Sequence, residues 1–314
     1  RLDSKPVFWF CVAAAWLPDI DNLAGFLGPE QYLLYHRGIT HSVFGGLALA
    51  LAFAGVFRLF SKKVSFVTGF LVAYSLILIH IFLDLVTSYG TQVLSPLTTR
   101  RYAISSVFIV DPLFTLTMIF FLSSTRLWKK HANKLAMAGL AWVLLYPMLC
   151  LFVKEALTSH YDRRLRMDEP VVPYQRIELS TEPFSPFVWK LLAEDGARYH
   201  LVGLTLFDPQ RELSFETYSK PPPELVKPLE QRISMLKTYL WFAKYPVMTS
   251  ENRDGKRRLL FNDLRFASTV GFLKRSMRAD GAPFSLVVEL DAVGNPLDWQ
   301  YREPGGNVVV HYLE

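Results

Sequence analysis

Read as a string of apolar and polar positions, the chain has two textures. Four apolar blocks, Val43 to Phe60, Val64 to Leu83, Ser105 to Leu122 and Leu135 to Val153, approach the roughly 20 residues that a bilayer crossing needs. A fifth, shorter block, Pro6 to Leu17, predicts a tilted or truncated span. From about Lys154 onward, prolines, charges and short alternating runs replace these blocks. Phe187 to Leu192 and Arg198 to Phe207 flank Glu194-Asp195-Gly196, and Ser285 to Leu290 and Leu297 to Arg302 flank Val293-Gly294-Asn295-Pro296. Both pairs read as β-hairpins, because turn residues separate two strand-like runs. Asn307 to Tyr312 reads as a closing strand, and Glu224 to Tyr245 has helical spacing after the break at Pro221-Pro222-Pro223. The expected fold is a polytopic α-helical membrane domain, residues 1–153, followed by a soluble α+β domain with β-hairpins, residues 154–314.

Charge then orients the helices. Arg58, Lys62 and Lys63 mark one short loop as basic, and Arg126, Lys129, Lys130 and Lys134 mark another. Basic short loops face the cytoplasm, and Arg1 and Lys5 agree with that side. Alternation sends Pro18 to Ser42, Thr87 to Ile104 and everything after Lys154 to the extracytoplasmic face, where Arg37, Arg100 and Arg101 break the charge bias. The net charge of +6 fits basic loops and interfacial anchors, so no nucleic-acid partner is expected. Cys11 and Cys150 both lie inside apolar segments, which argues for buried thiols and against a disulfide framework.

The polar residues of the membrane half gather at one depth. Asp19 and Asp21 end the first apolar segment, His36 sits in a loop, and His41 stands at the entrance of the next helix, which Thr40 or Ser42 caps. His80 and Asp84 are four apart, on one face of the following helix near its outer end. Taken singly, the aspartates fit a solvated helix end and the loop histidines fit an interface. Ionisable groups within a span are costly and usually face a partner in the bundle, so convergence in one layer is what points to chemistry. Asp111 joins the layer as a helix N-cap or as support for a ligand. Three histidines and up to four aspartates suit zinc, with manganese or iron as other candidates, and would allow more than one ion. Thr87, Ser88 and Tyr89 follow Asp84 directly, and Arg100 and Arg101 either match phosphate oxygens or anchor lipid headgroups.

These motifs, Pro18-Asp19-x-Asp21, His36-Arg37-Gly38-x-Thr40-His41-Ser42 and His80-x-x-x-Asp84 with Thr87-Ser88-Tyr89-Gly90-Thr91, resemble the YdjM-like family of membrane-bound metal-dependent hydrolases. The resemblance covers roughly residues 10 to 115, and the Asn262 to Phe266 segment looks like the soluble domain that many members carry. It implies a helical metal site with Asp19, Asp21, His36, His41, His80 and Asp84 as ligands, and a remoter similarity to zinc-dependent phospholipase C and the P1-type nucleases. Members often begin with a short Thr-His element; this chain opens on Arg1, which leaves room for residues upstream.

The expected protein is therefore an integral protein of a bacterial or archaeal cytoplasmic membrane, in contact with membrane lipid. It would hydrolyse a phospholipid or lipid-linked phosphoester by a metal-activated water at the extracytoplasmic interface. Asp19, Asp84 and Arg37 are the expected catalytic residues, with Thr40, Ser42, Thr87, Ser88, Tyr89, Arg100, Arg101 and Asp111 holding substrate or supporting ligands. A membrane metallopeptidase or amidase is a rival, although no His-Glu-x-x-His is present. A non-catalytic envelope protein with a structural metal is another. A transporter would need polar residues across the bilayer, where Ser61 to Ile79 offers only hydroxyls.

Overall fold

The computed structural model describes residues 5–167, 174–210, 212–253, 255–271, 274 and 282–313. By its internal contacts the chain forms two compact units, Arg1–Ile104 and Ser105–Glu314.

In the first unit, helix α1 (Lys5–Trp16) runs into a 3-10 helix, Leu17–Leu27. A short helix α2 (Pro29–Tyr35) and a single 3-10 turn, Ile39–His41, lead to the long helices α3 (Val43–Phe60) and α4 (Phe66–Leu85). Serines start both long helices: Ser42 Oγ accepts the Gly45 N–H and Ser65 Oγ accepts the Thr68 N–H, each satisfying a donor that the first turn leaves free. Helices α3 and α4 approach closely because Gly46, Ala50 and Ala54 face Gly69, Ala73 and Ile77. A methyl on Gly46 would lie 2.8 Å from the Ile77 side chain. In lipid, where no hydrophobic drive separates helix from tail, such small-residue faces supply the packing contacts. Phe10 and Ala14 of α1 complete that core with Ala50, Ala73, Ile77 and Ile81.

In the second unit, α5 (Pro112–Leu127) and α6 (Ala132–Met167) pair, and two antiparallel sheets follow. One runs β1 (Arg176–Thr181), β2 (Val188–Glu194), β3 (Arg198–Thr205), β4 (Glu216–Ser219); the other runs β5 (Pro246–Arg253), β6 (Lys256–Asp263), β7 (Leu286–Leu290), β8 (Pro296–Arg302), β9 (Val308–Tyr312). Helices α7 (Pro223–Arg232) and α8 (Ser234–Phe242) lie between them in sequence. The expected hairpins are β2–β3 and β7–β8, and the expected closing strand is β9.

Four helical stretches are long and apolar enough to cross a membrane, Lys5–Leu27, Val43–Phe60, Phe66–Leu85 and Lys129–Met167, with Pro112–Leu127 apolar but shorter. Two expectations are corrected here. The block Ser105 to Leu122 is not one helix: α5 starts only at Pro112, where Asp111 caps it by accepting the Phe114 N–H at 2.8 Å. The last helix does not stop at Val153 but continues to Met167. Leu157, Tyr161 and Leu165 on its extension pack against Leu179, Trp189, Leu191 and Val202 of the first sheet, so burial against the strands replaces burial in lipid as the reason for helix.

Candidate metal centre

The site is built by the turn between α2 and α3. Arg37 takes φ 54°, a left-handed conformation that costs a non-glycine residue about 1–3 kcal/mol. Its partners offset that cost: the Arg37 N–H donates to Asp21 Oδ2 at 2.9 Å, and its guanidinium donates to Thr87 Oγ1 at 2.9 Å and reaches Asp84 Oδ1 at 2.9 Å. Gly38 follows because a side chain there would start 2.5 Å from the Tyr35 carbonyl oxygen. The His41 and Ser42 N–H groups then close the 3-10 turn onto Gly38 and Ile39. The result carries His41 fully buried, at 0% exposure, toward α4.

Ligand atoms of Asp19, His41 and His80, from three separate elements, gather there within 4.8 Å of one another, and Asp84 Oδ2 lies beside both histidines. His41 Nε2 lies 3.3 Å from His80 Nε2, 3.6 Å from Asp19 Oδ1 and 3.2 Å from Asp84 Oδ2. His80 Nε2 lies 3.6 Å from both Asp19 Oδ1 and Asp84 Oδ2. A tetrahedral zinc ion with bonds of about 2.0–2.2 Å has ligand-to-ligand edges of roughly 3.3–3.6 Å. The three separations within the group of Asp19, His41 and His80, at 3.3, 3.6 and 3.6 Å, fall in that range.

The opposite ring atoms fix how the histidines present themselves. His80 Nδ1 is 2.8 Å from the Ala15 carbonyl oxygen and His41 Nδ1 is 2.8 Å from Asp21 Oδ2, both pure acceptors. Both rings must therefore carry a proton on Nδ1, which in the neutral tautomer turns the Nε2 lone pairs toward each other. A carboxylate behind a histidine is the usual way proteins orient a metal-binding imidazole. Asp84 Oδ2 is buried and accepts no hydrogen bond among the described residues. Facing lone pairs and an unsatisfied buried carboxylate oxygen fit a cation at their centre.

Burial works against a charged His41, but Asp19, Asp21 and Asp84 outweigh it and push its pKa up to about 10. Loading a metal at neutral pH must expel that proton, because Nε2 cannot bind both. The expected result is a zinc affinity that strengthens about tenfold per pH unit between pH 6 and 9, measured with a buffered metal indicator. A flat profile would show that His41 gives up no proton on binding.

The expected ligand set separates into two groups. Asp19, His41 and His80 form one ligand-spaced group, with Asp84 Oδ2 against both histidines. Asp21 does not share their centre: its oxygens are occupied by the Arg37 N–H, the Thr40 hydroxyl at 2.7 Å, the His41 ring and, at 3.0 Å, His36 Nδ1. His36 stands behind Asp21, stacked on Tyr32 at 4.7 Å. Arg37 is buried on Asp84 and Thr87 rather than turned to an incoming phosphate. Thr87 in turn donates to the Asp84 carbonyl, and Ser42 serves as the α3 cap. Tyr89 is buried under Arg37, with the guanidinium 4.9 Å from its ring centre. Arg101 donates to the carbonyls of Leu33, His36 and Gly90, tying the turn to the loop after α4, while Arg100 is exposed against Tyr102 at 5.4 Å. Ser88 lies in that same loop. Asp111 belongs to the second unit, as the α5 cap and acceptor of the Tyr146 hydroxyl at 2.9 Å. Two supporting groups escaped sequence reading. The Ala15 carbonyl carries no side-chain signal, whereas Tyr32, four before His36 at the end of α2, was a legible stacking partner.

Residues 1–157 match the family described as YdjM inner membrane protein. The chain is also similar to the "Uncharacterized protein YfhP" of Bacillus subtilis (strain 168), 25% identical over 138 residues, which are 44% of this chain and 40% of that protein. The chain thus spans about two fifths of that relative's length. No solved structure matches.

Proposed function

The chain belongs to the YdjM inner membrane protein family, and on that premise we propose that it is a metal-dependent hydrolase of a lipid or lipid-linked phosphoester. The observation that carries the proposal is the ligand-spaced group of Asp19, His41 and His80, with Asp84 Oδ2 beside both histidines, next to apolar spans. A divalent ion held there, zinc by the two-nitrogen, two-oxygen donor set, would supply Lewis acidity and an acidified water.

The protein's own residues do the rest. Asp21 and the Ala15 carbonyl hold the two imidazoles in the metal-binding tautomer. Arg37 balances the charge of Asp84 and fixes its rotamer through Oδ1, leaving Oδ2 for the centre. Asp19 is 42% exposed, the most open of the four, and is the carboxylate that solvent and substrate reach first. Ile20, Leu23, Phe26 and Leu27 follow it with exposed side chains, an apolar rim suited to an amphiphile's tails beside the polar centre. By the loop charges, the site opens on the extracytoplasmic side.

The same geometry supports one second reading. Four protein donors can close a tetrahedral shell, which is the habit of structural zinc. Protein in phosphatidylcholine and phosphatidylglycerol vesicles, loaded with one zinc per chain, is expected to release water-soluble phosphoester products, and to stop when chelated. Full metal occupancy with no product from any lipid phosphoester offered would replace the hydrolase with the structural reading.

A further inference from the structure

Helix α5 is too short for the membrane it should cross. Its 16 residues rise about 24 Å, against a hydrocarbon core of roughly 30 Å. Its partner α6 shows where the missing thickness lies. Met148, Leu149 and Phe152 of α6 are exposed and apolar, and Phe152 stands about 9 Å beyond Tyr146 along the helix. Tyr146 marks the level at which α5 begins, because its hydroxyl donates to Asp111 Oδ1 at 2.9 Å. The apolar surface of this helix pair therefore extends beyond the start of α5.

What occupies that level is the end of the first sheet. The Tyr146 hydroxyl also donates to the Ser185 carbonyl at 2.6 Å, and Ser185 Oγ accepts the Phe108 N–H at 3.2 Å. Backbone without helical bonds is tolerated at membrane depth only where protein groups satisfy it, and Ser185 does so for Phe108. The turn that carries Ser185 presents Phe184 and Phe187 outward, and Phe207 stacks on Phe187 at 5.4 Å while 79% exposed. Ile109 and Val110, just before Asp111, are exposed as well. A phenylalanine cluster of this size facing water would be costly, whereas an exposed Phe face is favoured when seated at the headgroup and acyl boundary.

We infer that the aromatic end of the β1–β4 sheet, formed by Phe184, Phe187 and Phe207, is seated in the lipid interface and completes the membrane surface of the short helix α5. The occupant is lipid because the patch is continuous with the apolar faces of α5 and α6 through the Phe108–Ser185–Tyr146 contacts. The sheet is then docked on the bilayer rather than carried above it on a free linker, since α6 runs unbroken into the core beneath β1 to β3.

The test is a nitroxide placed by Phe207→Cys, and in parallel by Phe187→Cys, in the full-length Cys11→Ala protein, where Cys150 is fully buried. Val293→Cys at the β7–β8 turn, 88% exposed, is the reference. In phosphatidylcholine and phosphatidylglycerol vesicles, collision with apolar oxygen relative to a water-soluble nickel chelate is read for each label. The expected ratio at Phe207 and Phe187 is several-fold above that at Val293. Ratios equal to that at Val293 at both positions would overturn the inference.

Discussion

Replacing His41 by alanine is expected to empty the metal centre. Its Nε2 is the hub of the site, within 3.6 Å of the donors of Asp19, His80 and Asp84. Loss of a supporting residue behind a ligand typically costs 10–100-fold in metal affinity, so loss of the ligand itself should cost on the order of 100-fold or more. Elemental analysis of purified protein should find about one zinc per wild-type chain and less than a tenth of that in His41→Ala or His80→Ala. Asp21→Asn should fall between, because it removes the carboxylate behind the ring but not the ring. His36→Ala should retain most of its metal, because His36 touches Asp21 and not the ligand atoms of Asp19, His41 and His80. The ranking is the informative outcome: equal losses for His36→Ala and His41→Ala would mean that the centre is arranged differently.

Gly45→Ala is expected to be the most damaging single methyl in the membrane half. A Cβ at Gly45 would stand 1.8 Å from the Ile39 carbonyl oxygen and 2.7 Å from its carbon, and backbone cannot step aside as a side-chain tip would. The Ile39 carbonyl is the acceptor that closes the turn, bonded by the Ser42 N–H and by Ser42 Oγ at 2.8 Å. Displacing it breaks the cap of α3 and moves His41 together. The combined cost is about 3–5 kcal/mol, in the range reserved for forced core or backbone rearrangement. Thermal unfolding in detergent should show it as a lowered midpoint with metal content lost in parallel. Gly55→Ala is the control, since a methyl there meets nothing closer than 3.9 Å. Equal stability of the two variants would show that the turn has slack.

The polar layer of aspartates and histidines was legible in the sequence because ionisable groups at the edge of apolar spans are expensive and stand out. The spacing of His80 and Asp84 was likewise legible, since a helix puts residues four apart on one face. Two features of the fold were not. Apolar composition from Ser105 to Leu122 looks the same whether it faces lipid as helix or as capped loop, and the Asp111–Pro112 start decided against one long span. Leu157, Tyr161 and Leu165 sit among charges that read as soluble, and only the strands beneath them reveal an extended helix.

The sequence by itself determined that this is an integral membrane protein, that its first half carries a polar layer of aspartate and histidine, and that strands follow in its second half. These depend on period, length and composition, which are local. Which layer members aim at a common point was decided only by tertiary structure. The left-handed Arg37 and the Gly38 turn swing His41 inward and leave His36 behind Asp21, and α4 brings His80 and Asp84 across to meet it. Arg37, which in sequence fits a substrate phosphate as well as anything else, is bound to Asp84. A side chain's type says what it is able to bind; the direction in which the backbone points it settles what it does bind.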